Sequence, residues 1–309
     1  MTTRISAFPQ FTALGAATRH EYEAAVAGIG VVSDLAYPTL MAWWTHRGDM
    51  LVARCGSSLV LRYAAPAEDE PIGIAVVGRS DVSAAIDGVM AYLREREPAP
   101  ELRMIPAVVA AGIDSRSYCV GRQRSYDEYL LSVDDLATLH GAAHGRTRRK
   151  VRRFLREAAG TVSVQPVDLA PAGVRHAVRS RADAWRAASV NDPRGEERAA
   201  LARSLSDDLS PDFRALEIRC GAEPCAYAIY QPPRDGHVIV NHLLTDPAFV
   251  HIDDFAIHAL AASLQPERVA LMNIEMDLGI PGLRTHKERL RPVGYVRKYC
   301  VRPRRRGAR

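Results

Sequence analysis

The order of helix and strand patterns in the second half of the chain is the strongest constraint on its fold. Thr161–Val167 alternates apolar and polar residues as a strand does, and Pro171–Ala188 and Glu196–Leu205 have helical spacing. Three strands, a helix, a strand, a short helix and a last strand follow, at Arg214–Arg219, Cys225–Tyr230, His237–Leu243, Asp253–Leu264, Val269–Ile274, Pro281–Leu290 and Tyr295–Val301. This half therefore predicts a mixed α/β domain.

The first half repeats much of this plan. Thr18 and Glu21 form a capping-box pattern that opens a helix, and Asp34–Thr45 predicts a second helix. The remaining elements are strands at Met50–Cys55, Ser58–Tyr63, Ile72–Val77, Leu102–Ile105 and Ser117–Gly121, with a helix at Val82–Arg96. Two copies of one supersecondary plan in series indicate a tandem arrangement.

The repeated order resembles that of the Gcn5-related N-acyltransferase fold. We therefore expect an α/β protein with mixed sheets, made of two such folds in tandem. The predicted division is an N-terminal, non-catalytic domain over residues 1–130, a linker over 131–160, and a C-terminal catalytic domain over 161–309. Within the linker, Ser132 and Asp135 predict a helix cap and Gly141 a helix stop.

Basic residues are concentrated in two segments of an otherwise acidic chain. Arg146–Glu157 contains seven basic residues and one acid, and Arg297–Arg309 contains seven and none. The whole chain has 41 basic and 36 acidic residues, so the remainder is acidic. Such segregation is typical of a protein that binds a polyanion.

The first basic segment predicts a helix with one apolar stripe, formed by Val151, Phe154 and Leu155. We expect its arginines to bind RNA phosphates; a solvated face or an anionic lipid surface are the alternatives. The second segment fits the same partner or is a tail of no specific role. The candidate RNA-binding residues are Arg146, Arg148, Arg149, Lys150, Arg152, Arg153, Arg156, Lys298, Arg302, Arg304, Arg305 and Arg306.

The usual phosphate-binding turn is missing. Acyltransferases of this fold bind the pyrophosphate of coenzyme A through a Gly-rich turn at a helix N-terminus, after the third antiparallel strand. Here that segment reads TDPAFVHIDDF, with Asp253 and Asp254 and no glycine, and the first-half segment VGRSDVSAA also departs from the pattern. Carboxylates there would repel a phosphate, which argues against acetyl-CoA as the donor.

The segment MNIEMDLGIPGLRTHKERLRPVGYVRKY is the densest in polar side chains. In this fold the fourth and fifth strands splay apart, and the acyl donor enters between them. We therefore expect the polar residues at the end of the strand in this segment to face the same cleft as those of the fourth strand. Lys287 is one of only three lysines, which are present either because the chemistry requires them or by chance. The alternative to a catalytic role for Glu275 and Lys287 is a salt bridge that anchors the loop. The candidate catalytic residues are Lys287, Asp277, Glu275 and Arg284, and the candidate substrate-binding residues are Asn241, His242, Asn273, Asp254 and Tyr299.

That segment, together with DEYLLSVDDLATLHGAAHGRTRRKVRRFLRE, resembles the cytosolic C-terminal domain family of phosphatidylglycerol lysyltransferases, from about Ser33 to Val301. Members of that family have two tandem acyltransferase folds joined by a basic helix and move amino acids from charged tRNA to a lipid headgroup. Similar soluble proteins make amides or esters on small molecules. The resemblance implies tRNA-binding roles for Arg148 and Lys150 and active-site roles for Asp277, Arg284 and Lys287.

We therefore expect an aminoacyltransferase that uses aminoacyl-tRNA as co-substrate, no cofactor, and a small-molecule acceptor, since the family's membrane-spanning half is missing. The acceptor attacks the ester directly, Glu275 or Asp277 takes its proton, and Lys287 or Arg284 stabilises the oxyanion or the departing ribose oxygen. The alternatives are an acyl-CoA-dependent N-acyltransferase, a non-catalytic RNA-binding module, and aminoacyl transfer to phosphatidylglycerol.

The composition predicts a cytoplasmic protein without membrane insertion. No apolar run approaches the ~20 residues that span a bilayer, and the start MTTRISAFPQF lacks the layout of a signal peptide. Five scattered cysteines indicate ordinary thiols rather than a disulfide framework or a metal site, although Cys220 and Cys225 could meet across a hairpin turn.

Overall fold

The computed structural model describes residues 4–44, 50–63, 73–78, 82–158, 162–188 and 196–304. The chain divides into two compact units. Unit 1 comprises Met1–Asp127 and Val296–Arg309, and unit 2 comprises Glu128–Tyr295. This division differs from the predicted one, because residues 131–158 belong to unit 2 rather than to a linker, and the residues after Tyr295 belong to unit 1.

Unit 1 contains two groups of strands among the residues described. Its elements are β1 (Thr12–Ala13), α1 (Ala16–Val26), α2 (Tyr37–Trp43), β2 (Leu51–Cys55), β3 (Ser58–Tyr63), β4 (Gly73–Val77), α3 (Val82–Arg94), β5 (Leu102–Pro106), α4 (Ala107–Ala110), β6 (Tyr118–Arg122) and β14 (Lys298–Pro303). One antiparallel sheet has the order β1-β2-β3-β4, and the other has the order β5-β14-β6.

The start of α1 differs from the capping-box prediction. The N-cap is Gly15, and Thr18 occupies the third helical position, where its Oγ1 accepts the Gly15 N–H at 3.1 Å. The prediction placed the helix start too late, because a threonine can satisfy helix-end donors from inside the first turn as well as from the cap. Glu21 instead accepts the backbone N–H of Ile5 at 2.9 Å.

Unit 2 is built on one seven-stranded sheet of order β13-β7-β12-β11-β10-β9-β8. Its elements are β7 (Glu128–Ser132), α5 (Val133–Thr138), α6 (Gly145–Glu157), β8 (Val162–Val167), α7 (Ala172–Ala187), α8 (Glu196–Ser204), β9 (Arg214–Cys220), β10 (Glu223–Tyr230), β11 (His237–Thr245), α9 (Ile252–Leu264), β12 (Leu271–Met276), α10 (Pro281–Arg289) and β13 (Gly294–Val296). The β11–β12 pair is parallel, and the other registered pairs are antiparallel.

The core of unit 2 explains why its helices form where they do. The apolar residues of α6 and α9 meet, with Phe154 stacked on Phe255 at a centroid distance of 4.7 Å. Both side chains are buried, as is Leu260 one turn further along α9. Ser132 caps α5, as predicted, and its Oγ accepts the Asp135 N–H at 3.1 Å. Burial of an apolar stripe, rather than helix propensity, stabilises the arginine-rich α6.

Two of the three sheets are completed by a strand from a distant part of the chain. In unit 2, β7 lies between β12 and β13, and in unit 1, β14 lies between β5 and β6. The sequence patterns missed β7, and they merged β13 and β14 into one predicted strand, Tyr295–Val301. A single residue, Arg297, separates these two strands, so no local turn signal marks the break. With these changes, the predicted fold class, α/β with mixed sheets, is confirmed.

Candidate active site

β11 and β12 separate after a short parallel pairing. They pair in register only where His237–Ile239 lies beside Leu271–Asn273. Beyond this point, β11 continues beside β10 and β12 continues beside β7. The two strands therefore diverge at their carboxyl ends, where the sequence predicted the donor cleft.

Each diverging strand carries a bulge beside the cleft. In β11 the register with β10 shifts at Asn241, which has no partner residue there. In β12 the register with β7 shifts between Asn273 and Met276, so that Ile274 and Glu275 together lie opposite the single residue Tyr129. The backbone of Glu275 is left-handed, with a φ of 59°. This conformation costs a non-glycine residue about 1–3 kcal/mol, so its surroundings must hold it.

A chain of side-chain hydrogen bonds connects the two bulges. Asn241 Nδ2 donates to Glu275 Oε1 at 2.8 Å, and Gln231 Nε2 donates to Asn241 Oδ1 at 3.0 Å. The Glu275 N–H donates to Asn273 Oδ1 at 2.9 Å, and Asn273 Nδ2 donates to Glu128. Asn241, Asn273 and Glu128 are buried. Glu275 is thus held from both strands.

Lys287 reaches the same strand end from α10. Its Nζ donates to the backbone oxygens of Ile274, at 2.5 Å, and Met276, at 2.6 Å, on either side of Glu275. Burial lowers the pKa of Lys287 to about 8, although three neighbouring carboxylates favour the charged form. An ammonium has three N–H donors, so the carbonyls occupy two of them. The direct partners of the buried lysine are therefore backbone oxygens.

Asp277 is locked by donors. Arg284 Nε and Nη2 donate to its two oxygens at 2.8 and 3.0 Å, the Tyr129 hydroxyl donates at 2.6 Å, and the Gly279 N–H donates at 2.8 Å. Burial favours the neutral acid, but these donors outweigh it and lower the pKa of Asp277 to about 2. A carboxylate with so low a pKa is a weak proton acceptor. Asp277 therefore fits an anchoring role for Arg284 better than the predicted role of base.

His242 lies away from the other candidates. Successive residues of a strand face opposite sides of the sheet, and His242 Nε2 lies 2.9 Å from the Ser204 hydroxyl on α8. Both residues are buried, and burial lowers the pKa of His242 to about 3. This Ser–His pair is enclosed in the core, so the structure contradicts the predicted position of His242 in the cleft beside Asn241.

The N-terminus of α9 carries carboxylates that are engaged internally. Asp253 Oδ1 accepts from the Thr245 hydroxyl at 2.6 Å, and both oxygens of Asp254 accept from Lys150 Nζ, at 2.7 and 3.1 Å. Asp254 therefore binds α6, and its predicted substrate contact stays a prediction. A helix N-terminus ordinarily attracts phosphate. Two carboxylates at this one oppose such binding, as the sequence indicated.

The outer face of α6 is cationic. Its five exposed arginines fall within an arc of about 120° at 100° per residue, opposite the buried Thr147, Val151 and Phe154. These arginines are Arg146, Arg149, Arg152, Arg153 and Arg156. Apart from Arg153, which pairs with Glu157 at 2.7 Å, none of them forms an ion pair or side-chain hydrogen bond within the described part of the chain. We call this set the arginine stripe.

Two basic residues of α6 face inward. Lys150 forms the ion pair with Asp254 described above. Arg148 Nη1 donates to the backbone oxygens of Leu139 and Gly141, beyond the end of α5. Leu139 has the left-handed backbone that closes this helix, with a φ of 49°, two residues before the predicted Gly141 stop. Arg148 and Lys150 thus anchor α6, so their side chains are committed within unit 2 rather than presented to RNA.

The C-terminal segment does not present all of its predicted cations. Lys298 is fully buried in unit 1, where its Nζ pairs with Asp34 and its N–H donates to Asp127. An enclosed ammonium of this kind is not available to a phosphate, so the predicted RNA contact of Lys298 is wrong. Tyr299 pairs with Ile105 in the unit 1 sheet and does not belong to the strands that hold Glu275.

Two of the other tail candidates, Arg302 and Arg304, are exposed. Arg302 pairs with Glu101 at 2.8 Å, and Arg304 Nε donates to the Ser115 oxygen at 3.0 Å. Both are surface contacts of the kind that contributes little to stability. Arg305 and Arg306 lie outside the described residues.

Three contributors to the site escaped the sequence patterns: Glu128, Tyr129 and Gln231. Glu128 and Tyr129 come from β7, whose pairing with β12 brings them to the cleft. The available signal was the apolar run before the Ser132 cap, which is typical of a short buried strand. The described residues contain no cluster of side chains suited to a metal ion, and Cys220 Sγ and Cys225 Sγ lie 2.9 Å apart as thiols.

A sheet of this order, with a parallel strand pair that diverges beside two bulges, fits the acyltransferase fold that the sequence predicted. The chain belongs to the phosphatidylglycerol lysyltransferase C-terminal family, whose model matches residues 37–302. Family and fold together support acyl transfer as its activity. No curated protein matches the sequence.

Solved structures agree with this fold. A conserved protein of unknown function from Bacteroides thetaiotaomicron is similar with a TM-score of 0.79 and 20% identity, covering 95% of this chain and 99% of that one. L-PGS from Bacillus licheniformis has a TM-score of 0.63 and 14% identity, covering 99% and 96%. The C-terminal domain of a putative lysylphosphatidylglycerol synthetase from Agrobacterium fabrum has a TM-score of 0.61 and 12% identity, covering 92% of this chain and 91% of that one. Within the described ranges, no helix is long and apolar enough to cross a bilayer.

Proposed function

We propose that this protein transfers an amino acid from aminoacyl-tRNA to the amine or hydroxyl of a small acceptor, forming an amide or an ester. The observation that carries the proposal is the contrast between α9 and α6. The α9 N-terminus, where this fold would hold the pyrophosphate of coenzyme A, carries Asp253 and Asp254. The neighbouring α6 presents the arginine stripe, which suits a nucleic-acid backbone.

The charge of the site favours an aminoacyl group over an acetyl group. The carboxylates of Glu128, Glu275 and Asp277 outnumber the cations of Lys287 and Arg284 by one. Glu128 and Glu275 are connected through Asn273, and Asp277 is paired with Arg284. An aminoacyl ester carries an α-ammonium, which would neutralise this excess. An acetyl group offers no such charge.

In the proposed reaction, the acceptor nitrogen or oxygen forms a bond to the ester carbonyl, and the carbon–oxygen bond to the ribose breaks. Glu275 accepts the proton of the nucleophile. Lys287, protonated at neutral pH, donates a proton to the departing ribose oxygen and regains one from Glu275. The aminoacyl ester is already activated, so no nucleotide triphosphate is consumed.

Phosphatidylglycerol is the second candidate acceptor, because the family is that of phosphatidylglycerol lysyltransferases and two of the similar structures carry lysylphosphatidylglycerol synthetase names. The arginine stripe would also suit an anionic bilayer.

The test is transfer from a mixed pool of charged tRNAs, with each amino acid labelled in turn, to a small-molecule extract or to phosphatidylglycerol vesicles. We expect label in a small, non-lipid product with one amino acid. Label in lipid would establish the second acceptor, and tRNA retention without product would indicate an RNA-binding module. A saturable rise in melting temperature with acetyl-CoA, with no transfer from any charged tRNA, would overturn the proposal.

A further inference from the structure

The hydrogen bonds around Asn273 have a fixed direction. The Glu128 carboxylate can only accept, so it requires the Nδ2 side of the Asn273 amide to face it. The Oδ1 side then faces the Glu275 N–H, which it accepts at 2.9 Å. If the amide were reversed, two donors would meet at the Glu275 N–H. The carboxylate at position 128 therefore selects one orientation of the amide.

We infer that Glu128 and Asn273 are positioning residues, which hold Glu275 in its left-handed bulge with the carboxylate against Asn241. This inference rests on the proposed function, in which Glu275 is the base. Both positioning residues are fully buried and do not compete with Glu275 for the acceptor. Their effect on the reaction passes through the backbone of Glu275.

Unit 1 provides an internal comparison. β5 has a bulge of the same kind, since its register with β14 shifts between Leu102 and Ile105, where Arg103 and Met104 together lie opposite Cys300. Met104, the second of the two, is left-handed with a φ of 56°. The Met104 N–H also donates to a side-chain amide oxygen, that of Gln123, at 3.3 Å. The bulge therefore forms without a carboxylate at its tip. In unit 2, Glu128 and Glu275 are additions that the bulge itself does not require.

An exchange of amide and carboxylate tests the inference. In Asn273→Asp, two carboxylates face each other, and we expect kcat to fall about 10- to 100-fold, the range for one lost hydrogen bond to a charged group, with tRNA affinity unchanged. The double variant Glu128→Gln, Asn273→Asp keeps the total charge and restores a donor–acceptor pair, because the glutamine amide donates to the new aspartate. We expect it to recover kcat to within about threefold of the wild type.

The matched control is Gln123→Glu, the same chemical change at the unit 1 bulge, which should leave kcat unchanged. In Glu128→Gln alone, loss of one of the carboxylates that favour the charged form of Lys287 should move the alkaline limb of the pH–rate profile to lower pH. That shift reports only the charge of Glu128 near Lys287, so recovery of kcat in the double variant is the readout that separates positioning from a merely structural role. Full kcat in Asn273→Asp, or a double variant no better than Asn273→Asp, would overturn the inference.

The backbone angle at residue 275 gives a readout that does not depend on tRNA. In crystal structures, we expect its φ to leave the left-handed region in Asn273→Asp and to return in the double variant. If no charged tRNA supports transfer, the proposed function fails, but this angle still decides the positioning role. A left-handed Glu275 in folded Asn273→Asp would refute it. Should Asn273→Asp not fold, recovery of folding and of the angle in the double variant supports the inference, and failure of both refutes it.

Discussion

Lys287 is a buried cation that holds the end of β12 in place. Its ammonium holds the carbonyls on both sides of Glu275 and stays surrounded by carboxylates. Burial of an ammonium is costly unless it is paired and hydrogen-bonded. The two carbonyls and the neighbouring carboxylates offset that cost in part, and the lowered pKa of Lys287 shows that burial still disfavours its charged form.

Replacing Lys287 with Met should abolish transfer while leaving tRNA binding within about twofold. The reason is that the proposed proton donor is lost, whereas the arginine stripe on α6 is untouched. Single-turnover rates with charged tRNA and equilibrium binding of uncharged tRNA measure the two effects. Near-normal turnover in a folded Lys287→Met protein would show that the lysine is not required.

The pH dependence of activity should report the same group. The pKa of Lys287 is lowered to about 8, so the proton donor is present below that pH and is lost above it. We expect kcat to fall as the pH rises through about 8, with roughly a tenfold loss per unit well beyond it. A rate–pH profile measured between pH 6.5 and pH 9.5 checks this, and a profile flat to the upper limit contradicts it.

His242 should affect stability rather than activity. Its pKa is about 3 in the folded protein and 6.5 when exposed. Between these values the unfolded chain binds a proton that the folded chain excludes, so the free energy of unfolding decreases on acidification below about pH 6.5. The slope from this group is at most about 1.4 kcal/mol per pH unit. Urea unfolding at several pH values gives the free energy of unfolding as a function of pH. This free energy should depend less steeply on pH in His242→Gln than in the wild type, and an equal dependence would count against this account.

For individual residues, the sequence predicted most of the polar cluster around the end of β12 but not the residues of β7 that complete it. Asn241, Asn273, Glu275, Asp277 and Lys287 were found because strand ends and a nearby short helix gather polar residues in one region. Glu128 and Tyr129 could not be placed, since only strand pairing across most of the chain brings them there. Nor could the sequence tell the inward Arg148 and Lys150 from the outward arginines, because that distinction depends on the partners of α6.

At the scale of elements, α6 divides its basic residues between two tasks. Lys150 and Arg148 fix the helix to Asp254 and to the end of α5, and the arginine stripe is left for solvent or a ligand. The predicted bridge helix is therefore part of unit 2, packed on α9 through Phe154.

Salt dependence distinguishes the two sets. Arg149→Gln should reduce the slope of log binding constant against log salt by about 0.7–0.9, the value for one phosphate contact. Lys150→Gln should leave the slope unchanged and lower the melting temperature, since it breaks the ion pair with Asp254. The exposed Arg179 on α7, as Arg179→Gln, controls for loss of any surface charge. Equal slopes for all three variants and the wild type would mean that the stripe does not contact phosphates.

At the scale of the whole molecule, the positions of β7 and β14 decide where a stable fragment can begin and end. The predicted catalytic domain, residues 161–309, omits β7 and with it Glu128 and Tyr129. Residues 128–296 contain every strand of the seven-stranded sheet.

We therefore expect residues 128–296 to unfold cooperatively as an isolated fragment, and residues 161–309 to remain unfolded or aggregate. A sheet that lacks an internal strand leaves two rows of backbone donors and acceptors unpaired. Urea denaturation followed by circular dichroism measures both fragments. Cooperative unfolding of the shorter fragment, residues 161–309, would favour a domain boundary at residue 161.

The placement of β14 has a consequence for how the protein is made. On the ribosome, the first unit to be started is the last to be finished, since β5 and β6 must wait for residues 298–303 before the gap between them is filled. Unit 2, although begun later, can close its sheet once β13 has emerged. A nascent chain would thus carry unpaired backbone groups on β5 and β6 until β14 has emerged, and its need for chaperones should increase when the codons for residues 298–303 are translated slowly.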